Sequence, residues 1–281
     1  MSSTRAPRRW LGTILAGYLP LVIATLIVAL PLIWMVIGSL KSPGELLTRD
    51  VSLLPKDPTL DAYLEATALI DFGRLFLNSS IVTVVGATIK VVLALTTAYA
   101  LVFVRFPFKS LIFGAILVAL MVPAQVSLVP NYTLVAGLGG RDTYWGIILP
   151  GLGTAFGTFL LRQQFLSLPR ELLEAAEMDG AGHFRRLVQV VVPVTAPTIA
   201  TVALVTIVNE WNDYLWPLVI TSTSSMATLP VGLTLLQNSE GNAGIYPMLM
   251  AGAVVVIVPV LVLFAFLQRF IVAGLTQGAI K

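Results

Sequence analysis

Few residues of this 281-residue chain carry side chains able to do chemistry, and they gather in three places. Lys90 is a lone cation inside a long apolar stretch. The run Asn209-Glu210-Trp211-Asn212-Asp213 is a polar girdle in another. The third is Glu174–Pro193, Glu-Ala-Ala-Glu-Met-Asp-Gly-Ala-Gly-His-Phe-Arg-Arg-Leu-Val-Gln-Val-Val-Val-Pro, charged and helix-forming in an otherwise greasy chain. No Ser/His/Asp set is spaced for nucleophilic catalysis. One histidine, His183, and no cysteine leave too few donors for a zinc or haem site. The chemistry on offer is binding and passage rather than bond breaking.

The elements that hold these residues follow from composition. Hydrophobic residues make up 57% of the chain and charged residues 11%, too little polar surface for a water-soluble domain of this size. Six apolar stretches are long enough to cross roughly 30 Å of hydrocarbon at about 1.5 Å per residue. They fall near Ile14–Ser39, Phe76–Val104, Ser110–Pro130, Tyr144–Gln163, Val194–Ile220 and Pro247–Phe270. The runs are continuously apolar, not alternating, which excludes a β-barrel. The expected fold is all-α, a polytopic membrane protein with six transmembrane helices in one domain spanning residues 1–281. The first stretch is too long for a signal-peptide core and lacks a small-residue cleavage site, so it reads as an uncleaved span. There is no convincing internal repeat, and nothing points to nucleic acid.

Orientation follows from basic residues in the flanks. With the N-terminus inside, Arg5, Arg8, Arg9, Arg105, Lys109, Arg162, Arg170, Arg185, Arg186, Arg269 and Lys281 are cytoplasmic, while Lys41, Arg49, Lys56, Arg74 and Arg141 are external. Eleven against five places both termini and the loop 164–193 in the cytoplasm. The external segment Lys41–Leu75, broken by Pro43, Pro55 and Pro58, should carry short helical pieces such as Leu60–Ala68. The loop Thr221–Tyr246 is large enough to touch an external partner, and Ala273–Lys281 reads as a mobile cytoplasmic tail or a short contact with an ATPase.

Within loop 164–193, Leu168-Pro169 opens a helix, with Glu171 and Glu174 suited to its positive end. Gly180 supplies the stop. A second short helix runs from about Gly182 to Val190 and ends at Pro193. Leu172, Leu173 and Met178 are expected to be free to fill a partner's groove; the plain alternative is an amphipathic connector lying on the membrane.

The spacing Glu174-Ala175-Ala176, three residues, Gly180, nine residues, Val190-x-Val192-Pro193 resembles the EAA loop of binding-protein-dependent ABC importer permeases. Arg105-Phe106-Pro107, Met121-Val122-Pro123 and Trp211 to Pro217 extend that resemblance over the chain, toward the maltose-type carbohydrate permeases. Met121 to Val126, Gly157 to Gln163 and Lys90 most resemble the permeases for sn-glycerol-3-phosphate and glycerophosphodiesters such as glycerophosphocholine. The resemblance implies a type I importer permease fold in a bacterial inner membrane, working by alternating access. It implies a second homologous permease subunit, two ATPase subunits and an extracytoplasmic binding protein as partners. Glu174, Ala175, Ala176, Asp179, Gly180 and Pro193 would then form the coupling segment that docks on an ATPase. The chain has no GxxxxGK[ST] motif, so ATP and Mg would be bound by those ATPases, with no cofactor in this chain.

A lysine inside a span costs about 2.5–3.5 kcal/mol on insertion scales, so Lys90 should face a partner or a cavity. It either attracts a phosphate near the path or pairs with Glu210 or Asp213. Asn209, Asn212 and Asp213, with Trp211, could bind a polyol, or else bond between helices. Gln125 stands beside the kink expected at Pro123. Tyr99, Thr96 and Thr97 read as packing. Two other classes are weaker: an ion-coupled transporter using Glu210 and Asp213, and a membrane enzyme.

Overall fold

The computed structural model describes residues 17–47, 52–237 and 245–277. Arg5, Arg8, Arg9, Arg49, Gly278 and Lys281 lie outside the described residues. In chain order the helices are α1 (Leu19–Ser39), α2 (Pro43–Leu47), α3 (Asp61–Leu69), α4 (Phe72–Phe103), α5 (Lys109–Met121), α6 (Leu128–Gly137), α7 (Tyr144–Ile148) and α8 (Ala155–Leu166). They continue as α9 (Arg170–Met178), α10 (His183–Arg186), α11 (Val192–Val194), α12 (Ala196–Asn212), α13 (Leu215–Ile220), α14 (Leu229–Gln237) and α15 (Ile245–Gln277).

Three helices are long and apolar enough to cross a membrane alone: α1, α4 and the Ile245–Phe266 part of α15. Three bent pairs reach that length together, which makes up to six spans. The kink expected at Pro123 is present as a full break, and the other two bends were not expected from the sequence. The stretch read as Ser110–Pro130 breaks between Lys109–Met121 and Ala124–Gly137 by 91°. Pro123 cannot donate a backbone hydrogen bond, and it pushes Val122 before it into extended backbone. The stretch read as Tyr144–Gln163 bends by 48° across Pro150, Gly151 and Gly153.

Pro193 does not end the second helix of the charged segment. The helix passes it by widening into a π turn over Leu187–Val191, which accommodates the missing donor. The break falls at Thr195, where His183–Val194 and Ala196–Ile220 diverge by 86°. Helix α4 starts at Phe72, earlier than expected, because the Asp71 side chain accepts from Arg74 N at 3.0 Å. The C-terminal helix runs to Gln277, so Ala273–Gln277 is helical backbone.

The chain divides into two units. In the one built from residues 1–70 and 233–257, Gly38 of α1 gives way to the Met250 side chain of α15, with no room there for a Cβ. Ser39 and Tyr63 hydroxyls bond at 2.8 Å, and Lys41, 2% exposed, bonds the Ser52 carbonyl and lies 4.9 Å over the Trp34 ring.

In the other unit, residues 71–232 and 258–281, α4 is the axis. Ala94, Ala98, Leu161 and Val202 pack α4 against α8 and α12. Small residues allow this closeness: a Cβ on Gly157 would lie 3.1 Å from both Ala94 and Val202. Near the start of α4, Asn78 is fully buried. Its Nδ2 donates to the Ser225 and Ala227 carbonyls at 2.9 Å each, and its Oδ1 accepts from Tyr144 at 2.8 Å.

Candidate functional site

Helices α4, α6, α7, α12 and α13, with the turns at Pro123 and Pro150, line an open cavity of about 380 Å³. Lys90, Gln125, Asn131, Asn209, Glu210, Asp213 and Trp216 give it its polar character. The breaks place several of them. Gln125 lies in the short turn after Pro123, Asn131 in α6 beyond it, and Asp213 in the gap between α12 and α13.

Lys90 Nζ donates to Glu210 Oε1, and the side chains are 16% and 13% exposed. Two glycines make the slot for this pair. A Cβ on Gly86, one turn before Lys90, would lie 2.7 Å from Glu210 Oε2, and one on Gly151 would lie 3.3 Å from Lys90 Nζ. A second cavity, of about 110 Å³, is also lined by Lys90, Asn209 and Glu210, so the ion pair stands between two chambers. Asp213 adds a carboxylate to the wall of the first cavity. Trp216 is fixed at the wall by donating Nε1 to the Gly146 and Ile147 carbonyls at 3.1 and 3.0 Å.

Of the path residues expected from the sequence, Lys90, Gln125, Asn209 and Asp213 line one cavity. Asn212 and Trp211 do not. Asn212 is exposed and donates back to the Val208 carbonyl at 2.8 Å, while Trp211 is buried edge-on against Phe76 at 5.6 Å. Glu210 enters as the partner of Lys90. Asn131 and Gly151 were not singled out; only knowledge of the 91° break would bring Asn131 to the cavity.

The charged segment builds a second site. Gly180 ends α9 with φ +73°, and Ala181 N and Gly180 N donate to the Ala176 and Glu177 carbonyls at 2.9 and 3.0 Å. This is a Schellman closure, open to glycine because it has no Cβ. Arg186 then pairs with Glu177 at 3.1 Å, and Tyr99 OH lies 3.2 Å from His183 Nδ1, tying α10 to α4. Tyr99 is therefore more than helix packing. Leu173 is not free: it packs on the cluster around Tyr99, Phe165 and Leu187. Exposed apolar groups here include Leu172, Met178 (88%), Phe184 (79%) and Val188. Glu174, Ala175, Asp179 and Gly180 are exposed and Ala176 half-buried, while Pro193 is exposed in α11.

Residues 90–277 match the family model described as binding-protein-dependent transport system inner membrane component. The chain is 33% identical over 270 residues to the sn-glycerol-3-phosphate transport system permease protein UgpE of Brucella suis biovar 1 (strain 1330), covering 94% of this chain and 96% of the relative. It is 34% identical over 268 residues to UgpE of Agrobacterium fabrum (strain C58 / ATCC 33970), covering 93% and 95%. It is 33% identical over 261 residues to the arabinooligosaccharides transport system permease protein AraQ of Bacillus subtilis (strain 168), covering 92% of each. A crystal structure of a bacterial ABC transporter involved in import of the acidic polysaccharide alginate superposes with a TM-score of 0.80 at 25% identity, over 96% of this chain and 99% of that one. Identity sustained over nearly the whole length places the chain in the family of binding-protein-dependent transport system inner membrane components, as a non-catalytic, multi-pass permease subunit of an ABC importer.

Proposed function

We propose that this subunit pairs with a second, similar permease and that the two carry sn-glycerol-3-phosphate, or a glycerophosphodiester such as glycerophosphocholine, inward by alternating access. The observation that carries the reading is the polar cavity closed by Lys90 and Glu210. Amides of Gln125, Asn131 and Asn209 beside the Trp216 ring suit a polyhydroxylated body, and Lys90 is the cation a phosphate would take from Glu210. The sn-glycerol-3-phosphate permeases among the relatives support the same cargo. The ion pair would then act as the closed position of the path between the two chambers.

Two ATPase subunits holding ATP and Mg would dock on α9 and α10, engaging the segment formed by Glu174, Ala175, Ala176, Asp179, Gly180 and Pro193. An extracytoplasmic binding protein would deliver cargo at the other end. Both termini and the coupling segment face the cytoplasm in this reading, in a bacterial inner membrane. Closure of the ATPases would move α4 through the Tyr99–His183 contact and the packing beneath α10.

A second reading, import of a neutral oligosaccharide, is favoured by a specific feature. Lys90 is already neutralised by Glu210, and Asp213 adds a further carboxylate to the wall. The arabinooligosaccharide permease is as similar as the glycerol-phosphate ones. The test is ATPase stimulation of the reconstituted complex by sn-glycerol-3-phosphate, glycerophosphocholine, maltose-like sugars and arabino-oligosaccharides. Stimulation by the phosphate esters supports the first reading; a response only to unphosphorylated sugars removes it.

A further inference from the structure

A cavity of about 440 Å³ lies between the end of α4 and one face of α9, away from the polar cavity. Arg170, Leu173, Glu174 and Glu177 line it, spaced i, i+3, i+4 and i+7, so they share one stripe of the helix. Leu172 and Met178 lie off that stripe and are exposed. Arg105, just past the end of α4, and Arg186 of α10 complete the polar rim.

The charges on this rim do not cancel. Arg186 is satisfied by Glu177, although its buried Nε has no hydrogen-bond partner. Arg105 and Arg170 make no hydrogen bond or ion pair among the described residues. Glu174 is the one remaining carboxylate, and it is exposed. Two guanidiniums and one carboxylate thus face a space floored by Phe103 and Phe165, whose rings stack at 6.0 Å. A guanidinium presents paired donors that match phosphate oxygens, and the apolar floor suits an organic group attached to that phosphate.

We infer that this cavity binds a phosphate ester, its phosphoryl oxygens bridging Arg105 at the end of α4 and Arg170 on α9 and its organic part lying on Phe103 and Phe165. The occupant links a membrane helix to the coupling segment, so its presence changes how stiffly the two move together. The site is independent of the cargo: it shares no residue with the cavity around Lys90.

The chemistry has two sources, a soluble phosphate ester or an anionic phospholipid headgroup, and one experiment separates them. The full importer is placed in nanodiscs of zwitterionic lipid and titrated with phenyl phosphate, and in parallel its retained lipids are measured by native mass spectrometry from phosphatidylglycerol-containing nanodiscs. Arg105→Gln and Arg170→Gln should each weaken the bound species roughly tenfold or more, the scale of losing a charge-assisted bond. Glu174→Gln should tighten it a few-fold by removing the opposing carboxylate, on the scale of a partly exposed charge pair. Arg105→Lys and Arg170→Lys keep the charge but lose the fork and should bind more weakly than the wild type, and an unchanged melting temperature of the purified membrane subunits shows that each variant is folded. Saturable phenyl phosphate binding that follows these substitutions supports a soluble ligand, and selective phosphatidylglycerol retention that follows them supports a lipid. Binding of neither probe, or binding indifferent to both arginines, overturns the proposal.

Discussion

At the scale of single residues, the part-buried Lys90–Glu210 pair allows a stabilising role and the proposed transport role to be told apart. Lys90→Ala leaves Glu210 without its cation in a mostly buried slot, a loss on the order of 3–5 kcal/mol for a broken buried pair. Lys90→Met with Glu210→Met removes both charges and should recover most of the thermal stability of the purified complex. Transport separates the roles. If the double variant is assembled and still moves cargo, Lys90 serves structure; if it is assembled and loses only phosphate-bearing cargo, Lys90 is its receptor. Asn78 gives a second prediction. Asn78→Ala strands the Ser225 and Ala227 carbonyls and the Tyr144 hydroxyl, and should lower stability by roughly 1–3 kcal/mol in a melting experiment. Lys90 was legible as a problem in the sequence because a charge in an apolar run demands an explanation. Its partner was only one of two candidates, because Glu210 lies 120 positions away and no local pattern encodes that meeting. Asn78 carried no signal at all, since an asparagine near a helix start resembles any surface residue.

At the scale of elements, apolar length made the spans legible, while the turns between and within them were less so. A proline announces that a helix loses a hydrogen bond, but it does not set the angle that follows. Pro123 yields a break of 91°, whereas Pro193 is absorbed by a π turn and the break falls at Thr195. Gly180 was legible because the left-handed conformation it adopts excludes most other residues. Gly180→Ala should therefore cost about 1–2 kcal/mol locally. It should loosen ATPase retention during co-purification, and Gly180→Asn should restore part of it. The loop at Asp142 is a further joint. Its carboxylate accepts from Ser222 N at 2.7 Å and Thr223 N at 2.9 Å. The backbone N–H groups of Thr223 and then Ser222 hold its pKa below the usual carboxylate range. A lowered folded pKa stabilises above the unfolded value of about 4, and the contribution fades as pH falls through the folded value. Amide protection of 221–226 in the wild type should exceed that in Asp142→Asn by a constant margin from neutral pH to about 5, then converge below about 4. A margin that grows in acid would contradict the assignment.

At the scale of the whole molecule, the proposed orientation rests on how unevenly basic residues are shared between the two sets of loops. In the proposed topology the cytoplasmic segments carry Arg105, Lys109, Arg162, Arg170, Arg185 and Arg186, and the external ones carry Lys41, Lys56, Arg74 and Arg141. The chain has no cysteine, so single cysteines can report each side without removing native thiols. Met178→Cys and Phe184→Cys suit one side because both side chains are largely exposed, and Leu64→Cys and Ser222→Cys suit the other. With the coupling segment in the cytoplasm, a membrane-impermeant maleimide should label Leu64→Cys and Ser222→Cys in intact spheroplasts. It should reach Met178→Cys and Phe184→Cys only in inverted vesicles. Adding the ATPase to those vesicles should then protect Met178→Cys, because an apolar side chain this exposed is stabilised by burial in a partner's groove. Labelling of Met178→Cys in spheroplasts would reverse the orientation, and with it the side from which ATP-driven closure could reach α4. Correct sidedness without ATPase protection would keep the topology but move the docking surface off this face of α9.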